Sequence, residues 1–104
     1  MALVSLEEAR QYLRVDTEEE DAMIDVLLSS AGRLCADVAR LSDAQWDAVN
    51  DNSCTPDLAP IRETMKVAIL YALAYMYEHR EKADHHALQL TLRSLLFGIR
   101  EGVV

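Results

Sequence analysis

The chain has 104 residues, about the size of one domain, and 51% of them are hydrophobic, which is enough for one continuous core. The formal net charge is -8, and residues 1–52 account for all of it, with 12 acidic residues and 4 arginines. A chain with no basic patch is not expected to grip DNA by neutralising phosphates. The longest uncharged run, Val67 to Tyr77, is far shorter than the roughly 20 residues of a bilayer span, so no membrane segment is predicted. Nor does the N-terminus have the basic region of a signal peptide, which favours a cytosolic product.

Two capping patterns predict the first two helices. Ser5-Leu6-Glu7-Glu8 has the Ser-x-x-Glu form of a capping box and predicts a short helix that ends near Arg14. Thr17-Glu18-Glu19-Glu20 has the related form and predicts that a long amphipathic helix begins there. Its apolar stripe is Ile24, Leu27, Leu28, Ala31, Leu34, Cys35, Val38 and Leu41. Within it Gly32 indicates a place where another backbone packs closely.

Residues 42–60 have the composition of a loop, because they contain both prolines and many Asp, Asn and Ser residues. One or two helical turns remain an alternative for Ser42 to Val49, with Ser42 as the cap and Trp46 and Val49 anchored in the core. The next helix is expected to begin near Pro60, whose missing N–H is harmless in a first turn, with Asp57 as a possible cap.

The helix after Pro60 is apolar almost all round, so it must be surrounded, either in the centre of a bundle or between the bundle and another subunit. Ala68 and Ala72, one turn apart, allow a neighbouring helix to approach closely. Asp84 can cap a last helix that ends near Gly98. The fold class predicted is therefore all-α, a small bundle of about four helices in a single domain that covers residues 1–104.

Tests for chemistry favour structural interpretations. The histidines of residues 79–86 lack the spacing of a metal site, and solvated helix ends explain them better. That cluster is His79, His85 and His86 with Glu78, Glu81 and Asp84. Cys35 fits a buried small hydrophobe, Cys54 has no histidine beside it, and both are expected to be free thiols. The chain has only three glycines, too few for a Gly-rich phosphate loop, so nucleotide binding is not expected. Together these tests lead us to predict no catalytic residue, no metal and no cofactor.

The order and spacing of four segments carry a resemblance to a known family. The segments are Val4-Ser5-Leu6-Glu7-Glu8-Ala9, Tyr12-Leu13-Arg14-Val15-Asp16, Tyr77-Glu78-His79-Arg80-Glu81 and Leu92-Arg93-Ser94-Leu95-Leu96-Phe97-Gly98-Ile99-Arg100. Over nearly its whole length the chain resembles the gp6-like head-tail connector, or head-completion, proteins of tailed bacteriophages and prophages, which act in DNA packaging. It departs from members with an extended loop toward their neighbours, because its loop at 42–60 is short.

The resemblance implies an all-helical virion protein that is not an enzyme. Such a subunit assembles as a ring beneath the portal, joins capsid to tail and extends the DNA channel. The implied partners are the other copies of the ring, the portal protein, a tail or stopper protein, and double-stranded DNA that passes without sequence-specific binding. The protein would be made in the bacterial cytoplasm and reside in the neck of the virion.

Three groups of residues acquire roles under this resemblance. The subunit interface is expected at Tyr71, Tyr75, Tyr77, Glu78 and Arg80, although the tyrosines fit a plain core equally well. The acidic residues that face the channel and keep DNA mobile are expected to be Glu18, Glu19 and Glu20. Portal docking is expected at Phe97, Ile99, Arg100 and Val104.

Two alternatives come from other classes of protein. A small acidic helical regulator, of the DNA-mimic or anti-repressor type, would bind a basic protein as a monomer or dimer, and only the net charge supports it. A small metal-dependent enzyme has only the histidine cluster in its favour.

Overall fold

The computed structural model describes residues 3–50, 59–79 and 85–100, and these residues form six helices and no strand. The helices are α1 (Leu6–Leu13), α2 (Asp21–Val38), α3 (Asp43–Asn50), α4 (Ala59–Glu78), α5 (His85–Leu95) and α6 (Phe97–Arg100). The predicted all-α bundle is confirmed. There are more helices than the four expected because the segment after Ser42 is helical and because the last predicted helix is interrupted at Leu96.

The helix α1 begins and ends as its sequence predicts. The Ser5 hydroxyl accepts a hydrogen bond from the Glu8 backbone N–H, and the Glu8 carboxylate accepts one from the Ser5 N–H. At the other end Arg14 adopts a left-handed conformation with a φ of 60°. Its N–H is then directed at the last carbonyls of the helix, and this stops the helix.

The predicted start of α2 is wrong. Thr17 to Glu20 form bends and a turn, and the helix begins only at Asp21, with no side-chain cap from Glu20. The Glu20 carboxylate instead accepts a hydrogen bond from the Tyr77 hydroxyl at 2.5 Å, on a helix far along the chain. The Glu20 carboxylate, which the local pattern assigned to capping, therefore bonds a side chain of another helix instead.

The loop interpretation is also wrong for the segment that becomes α3, and the helical alternative is confirmed. Ser42 and Gln45 form a reciprocal capping box, each side chain bonding the other residue's backbone N–H. Val49 is buried, and Trp46 is half-buried against the core. The Arg62 guanidinium of α4 donates to the Val49 carbonyl at 2.6 Å, which ties the end of α3 to α4.

The core lies between α2 and α4, which make the most extensive helix contact in the described chain. As the periodicity predicts, Ile24, Ala31 and Cys35 of α2 are buried. Ala68 and Ala72 of α4 are completely buried as well, consistent with the close helix approach expected of small residues.

The remaining helices close the core from two sides. In the C-terminal part Leu88, Leu92 and Leu96 form one buried stripe, which continues across the interruption between α5 and α6. On the other side the Lys66 ammonium of α4 pairs with the Glu8 carboxylate of α1 at 2.5 Å. The predicted caps Asp57 and Asp84 lie outside the described residues.

Candidate assembly surfaces

The outer face of α4 is apolar although it lies at the surface. Val67 is 60% exposed and Tyr71 is 39% exposed, and the two are one helical turn apart. Glu63 and Glu78 are exposed on the same face, one at each end of this pair. We call the face formed by these four residues the α4 stripe. Large apolar side chains grouped on one face are typical of a surface that another protein covers.

The other predicted interface residues of α4 take part in contacts within the chain. Tyr75 is half-buried and stacks on His79, with ring centroids 4.3 Å apart. Tyr77 is half-buried and donates its hydroxyl hydrogen to Glu20. Of the five residues predicted for the interface, the structure therefore exposes Tyr71 and Glu78, while Arg80 lies outside the described residues.

The three glutamates of the turn before α2 also differ in their exposure to solvent. Glu18 and Glu19 are exposed, whereas Glu20 is half-buried and held by Tyr77. Two carboxylates of the predicted channel group are thus available to solvent. The third fixes the turn against α4.

The predicted portal-docking residues lie at the C-terminal end. Phe97 is 59% exposed at the start of α6, whereas Ile99 is half-buried and packs against the core. The side chain of Arg100 and all of Val104 lie outside the described residues. Within the described part, Phe97 is therefore the residue of this group that offers the larger apolar surface.

The structure also forms a groove that the sequence did not predict. It has a volume of about 360 Å³ and lies where the N-terminal segment, α2, α3 and α4 meet. Its lining residues are Val4, Ser5, Leu6, Asp25, Leu28, Ser29, Gly32, Arg33, Trp46, Asn50 and Ile69. We call it the Trp46 groove. The signal in the sequence was Gly32: a Cβ there would lie 3.1 Å from Trp46 Cζ2, so the close neighbour is a side chain and not the backbone that was predicted.

Charge at the rim of the Trp46 groove is mostly negative. The Arg33 guanidinium donates to the Asp37 carboxylate at 2.7 Å and lies 3.6 Å from Asp43. The hydrogen bond to Asp37 is the main cause that raises the pKa of Arg33, with Asp43 and Asp47 adding to it. Asp25 lies on the rim, exposed and without an ion-pair partner among the described residues.

The residues considered for catalysis or metal binding have surroundings that suit a structural role. Cys35 is a free thiol, completely shielded from solvent, and burial raises its pKa to about 12. A thiol in this state is a poor nucleophile at neutral pH. The described residues contain no group of His, Cys, Asp and Glu side chains arranged to hold a metal ion. Cys54, Glu81 and Asp84 lie outside the described residues. No helix in the described part of the chain is long and apolar enough to cross a membrane.

The described chain is an all-α subunit with exposed apolar residues and a groove, features that suit contacts with other proteins. Comparison with protein families gives a match to the model of the phage gp6-like head-tail connector protein over residues 3–101. The chain belongs to this family, and the resemblance seen in its sequence is confirmed. No curated protein and no solved structure matches it.

Family membership gives the chain a coarse function. It is a structural connector of a phage particle, a family not known for enzymes, and its partners are other head and tail proteins. Membership also points to a component of the virion. The acidic-regulator alternative rested on net charge alone, and the family match favours the connector.

Proposed function

We propose that the chain assembles as a ring at the portal vertex, where it joins capsid to tail and extends the channel through which double-stranded DNA passes. The observation that carries this proposal is the α4 stripe on a chain of the connector family. A helix with large apolar residues on both its buried and its outer face gains by being covered on the outside as well. Identical neighbours placed around a closed ring would supply that cover.

The subunit interface of this ring is centred on Val67 and Tyr71. Tyrosine suits such a position because its ring adds apolar contact area while its hydroxyl remains able to bond. Glu78 lies at the end of the stripe, and Arg80 follows it in sequence, so both belong to the proposed contact as charged groups at its rim. Tyr75 and Tyr77 support the stripe from within by fixing the last turns of α4.

The channel side of the ring carries Glu18 and Glu19. Exposed carboxylates repel the phosphates of a duplex, so DNA passes such a wall without being held. Glu20 belongs to the same turn but acts through Tyr77, because its carboxylate is bonded there. The proposed partner is therefore passing DNA, with no sequence-specific binding.

The C-terminal end docks on the portal in this proposal. Phe97 supplies the exposed apolar anchor, and Ile99, Arg100 and Val104 continue the same terminal segment. A tail or stopper protein would then bind the opposite face of the ring. Synthesis takes place in the host cytoplasm before the subunit joins the virion.

The first experiment is native mass spectrometry with negative-stain imaging of the purified chain over a concentration series, alone and with the cognate portal protein. A closed ring with an opening of about 20 Å or more, wide enough for duplex DNA, is the expected product. Tyr71→Ser should reduce its yield, while Tyr12→Ser, at an exposed tyrosine of α1, serves as the matched control. A chain that stays monomeric or dimeric even with the portal would contradict the proposal.

The other two roles have tests of their own. Replacing Glu18 and Glu19 by Gln should slow DNA ejection from reconstituted particles, with Glu7→Gln on α1 as the control, and unchanged retention and ejection would remove the channel role. Phe97→Ser should weaken binding of the ring to the portal without changing ring size. Undiminished portal binding by that variant and by a chain lacking residues 98–104 would refute C-terminal docking.

A further inference from the structure

The Trp46 groove has the shape and lining of a socket for an apolar side chain. Leu6 and Leu28, both half-buried, contribute accessible apolar surface to its lining, and Trp46 contributes part of its indole ring, whereas the lining residues Val4 and Ile69 are almost fully buried. Trp46 closes one side of the groove by packing on Gly32, where even a Cβ would lie 3.1 Å from the ring. The groove is concave and lies open to solvent between four segments of the fold, so the apolar surface of Leu6, Leu28 and Trp46 is incompletely covered by this chain alone.

The negative charge at the rim of the Trp46 groove favours a positively charged partner. The charge of Arg33 is offset by Asp37 and Asp43, which pair with it. Asp25, on the rim, has a carboxylate with no ion-pair partner in the part of the chain that the structure describes. A partner that inserts an apolar group here therefore gains if a cation lies beside it, and an acidic partner would be repelled.

The outer face of α5 has the complementary character. Leu90 is 51% exposed, and Arg93 is exposed on the next turn of the same face, with no ion-pair partner among the described residues. Residues 85–100 contain no Asp or Glu. No residue of α5 lines the Trp46 groove, so the two surfaces are separate parts of the molecule.

We propose that the Trp46 groove of one copy receives the α5 face of a second copy, with Leu90 in the groove and Arg93 paired with Asp25. This inference rests on the proposed ring and adds a contact to the α4 stripe. Two different surfaces that fit each other make a heterologous contact, the kind that closes rings when the rotation between copies allows. The charge argument selects α5 over the α4 stripe as the occupant, because the stripe carries Glu63 and Glu78 beside its apolar residues.

Filling the groove tests the apolar half of the contact. Ser29 lines the groove from an exposed position on α2, and Ser30 is its exposed neighbour outside the lining, so Ser29→Phe and Ser30→Phe form a matched pair. Ser29→Phe should weaken ring assembly about tenfold or more, as loss of a central anchor does. Leu90→Ser should do the same, with Leu95→Ser, on another side of α5, as its control.

Charge reversal tests the pairing of Arg93 with Asp25. Asp25→Lys and Arg93→Glu should each weaken assembly, and the double variant should recover most of the loss because the pair is restored with opposite orientation. Asp16→Lys reverses an exposed acid in the segment between α1 and α2, outside the groove lining, and is expected to leave assembly unchanged. Assembly is measured by sedimentation velocity and native mass spectrometry of the full chain, and each variant is first checked for an unchanged melting temperature.

The outcomes separate the groove contact from the ring itself. If the wild type forms rings and Ser29→Phe and Leu90→Ser assemble like their controls, the groove contact is wrong and the ring proposal stands. Absence of recovery in the double charge variant overturns the Arg93–Asp25 pairing. If the wild type forms no ring, alone or with the portal, both proposals fail together.

Discussion

The two longest helices, α2 and α4, form the centre of the bundle but have opposite outer faces. The outside of α2 is mostly polar, with Asp25, Ser29 and Arg33, although Val26 is also 64% exposed there, and its inside carries the predicted apolar stripe. The outside of α4 carries Val67 and Tyr71, so this helix is apolar on both sides. The difference lies in the chemistry of the exposed surface: α2 presents mainly polar groups, some of which border the Trp46 groove, whereas α4 presents an apolar face for a neighbour to cover.

The largest effect is expected on the inner face of α4. Leu73 is completely buried, so Leu73→Ala should lower the free energy of unfolding by about 2–5 kcal/mol, through lost apolar burial and the cavity that remains. Leu70→Ala, at a half-buried position of the same helix, is the control and should lose clearly less. Urea denaturation followed by circular dichroism measures both. Equal losses would contradict the assignment of the inner face.

The next effect is expected where α2 meets α3. In Gly32→Leu the added side chain must displace Trp46, because even a Cβ would lie 3.1 Å from its ring, and a loss of about 1–3 kcal/mol is expected. Trp46 is the single tryptophan of the chain, so a red shift of its fluorescence reports the displacement. Ser30→Leu on the outer face of α2 should change neither quantity. A Gly32→Leu protein with wild-type emission would show that the two helices do not meet here.

A smaller effect is expected where α1 is tied to α4. The hydrogen bond from Lys66, followed by that from the Ser5 N–H, lowers the pKa of Glu8. A group with a lowered pKa stabilises the fold above its unfolded pKa and loses that contribution as the pH falls through its folded pKa. Because both side chains are partly exposed, Glu8→Gln should lower stability at neutral pH by only about 0.2–1 kcal/mol.

The check on Glu8 is a comparison of wild type and Glu8→Gln over the acidic pH range. The difference in unfolding free energy should be largest near neutral pH and disappear below the folded pKa of Glu8. Glu7→Gln, at an exposed neighbour, provides the background. A difference that grows as the pH falls would have the wrong sign and would exclude this explanation.

The smallest effect on stability is expected on the outer face of α4. Val67 is 60% exposed, so Val67→Ser should change the unfolding free energy of the monomer by no more than about 0.5 kcal/mol. The same variant should weaken ring assembly, which separates a role in association from a role in folding. A large loss of monomer stability would place Val67 in the core instead.

Local patterns predicted the parts of the fold that depend on local interactions. The capping box at Ser5 and the apolar stripe of α2 both form as their spacing indicates. The pattern at Thr17 failed because Tyr77, 57 residues away, binds the Glu20 carboxylate, and no local rule contains that partner. The segment of α3 was predicted as a loop because its composition is typical of loops. In the structure the reciprocal capping bonds of Ser42 and Gln45 start a helix there.

The candidate surfaces were predictable to different degrees. Tyr71 and Phe97 are exposed apolar residues whose positions could be read from the periodicity and from the family resemblance. The Trp46 groove could not be predicted, because it forms only where four segments separated in sequence meet. Gly32 indicated a close approach to α2, but a glycine in a helix does not identify the neighbouring group, which is the ring of Trp46.

The buried thiol of Cys35 has a consequence for the kinetics of the native protein. With a pKa of about 12 and no solvent access, Cys35 reacts with an alkylating reagent only when α2 moves away from its neighbours. The rate at which Cys35 is labelled, resolved by peptide mapping, therefore reports how often the bundle opens. If neighbours in a ring hold the helices together, Cys35 should be labelled more slowly after assembly than before it.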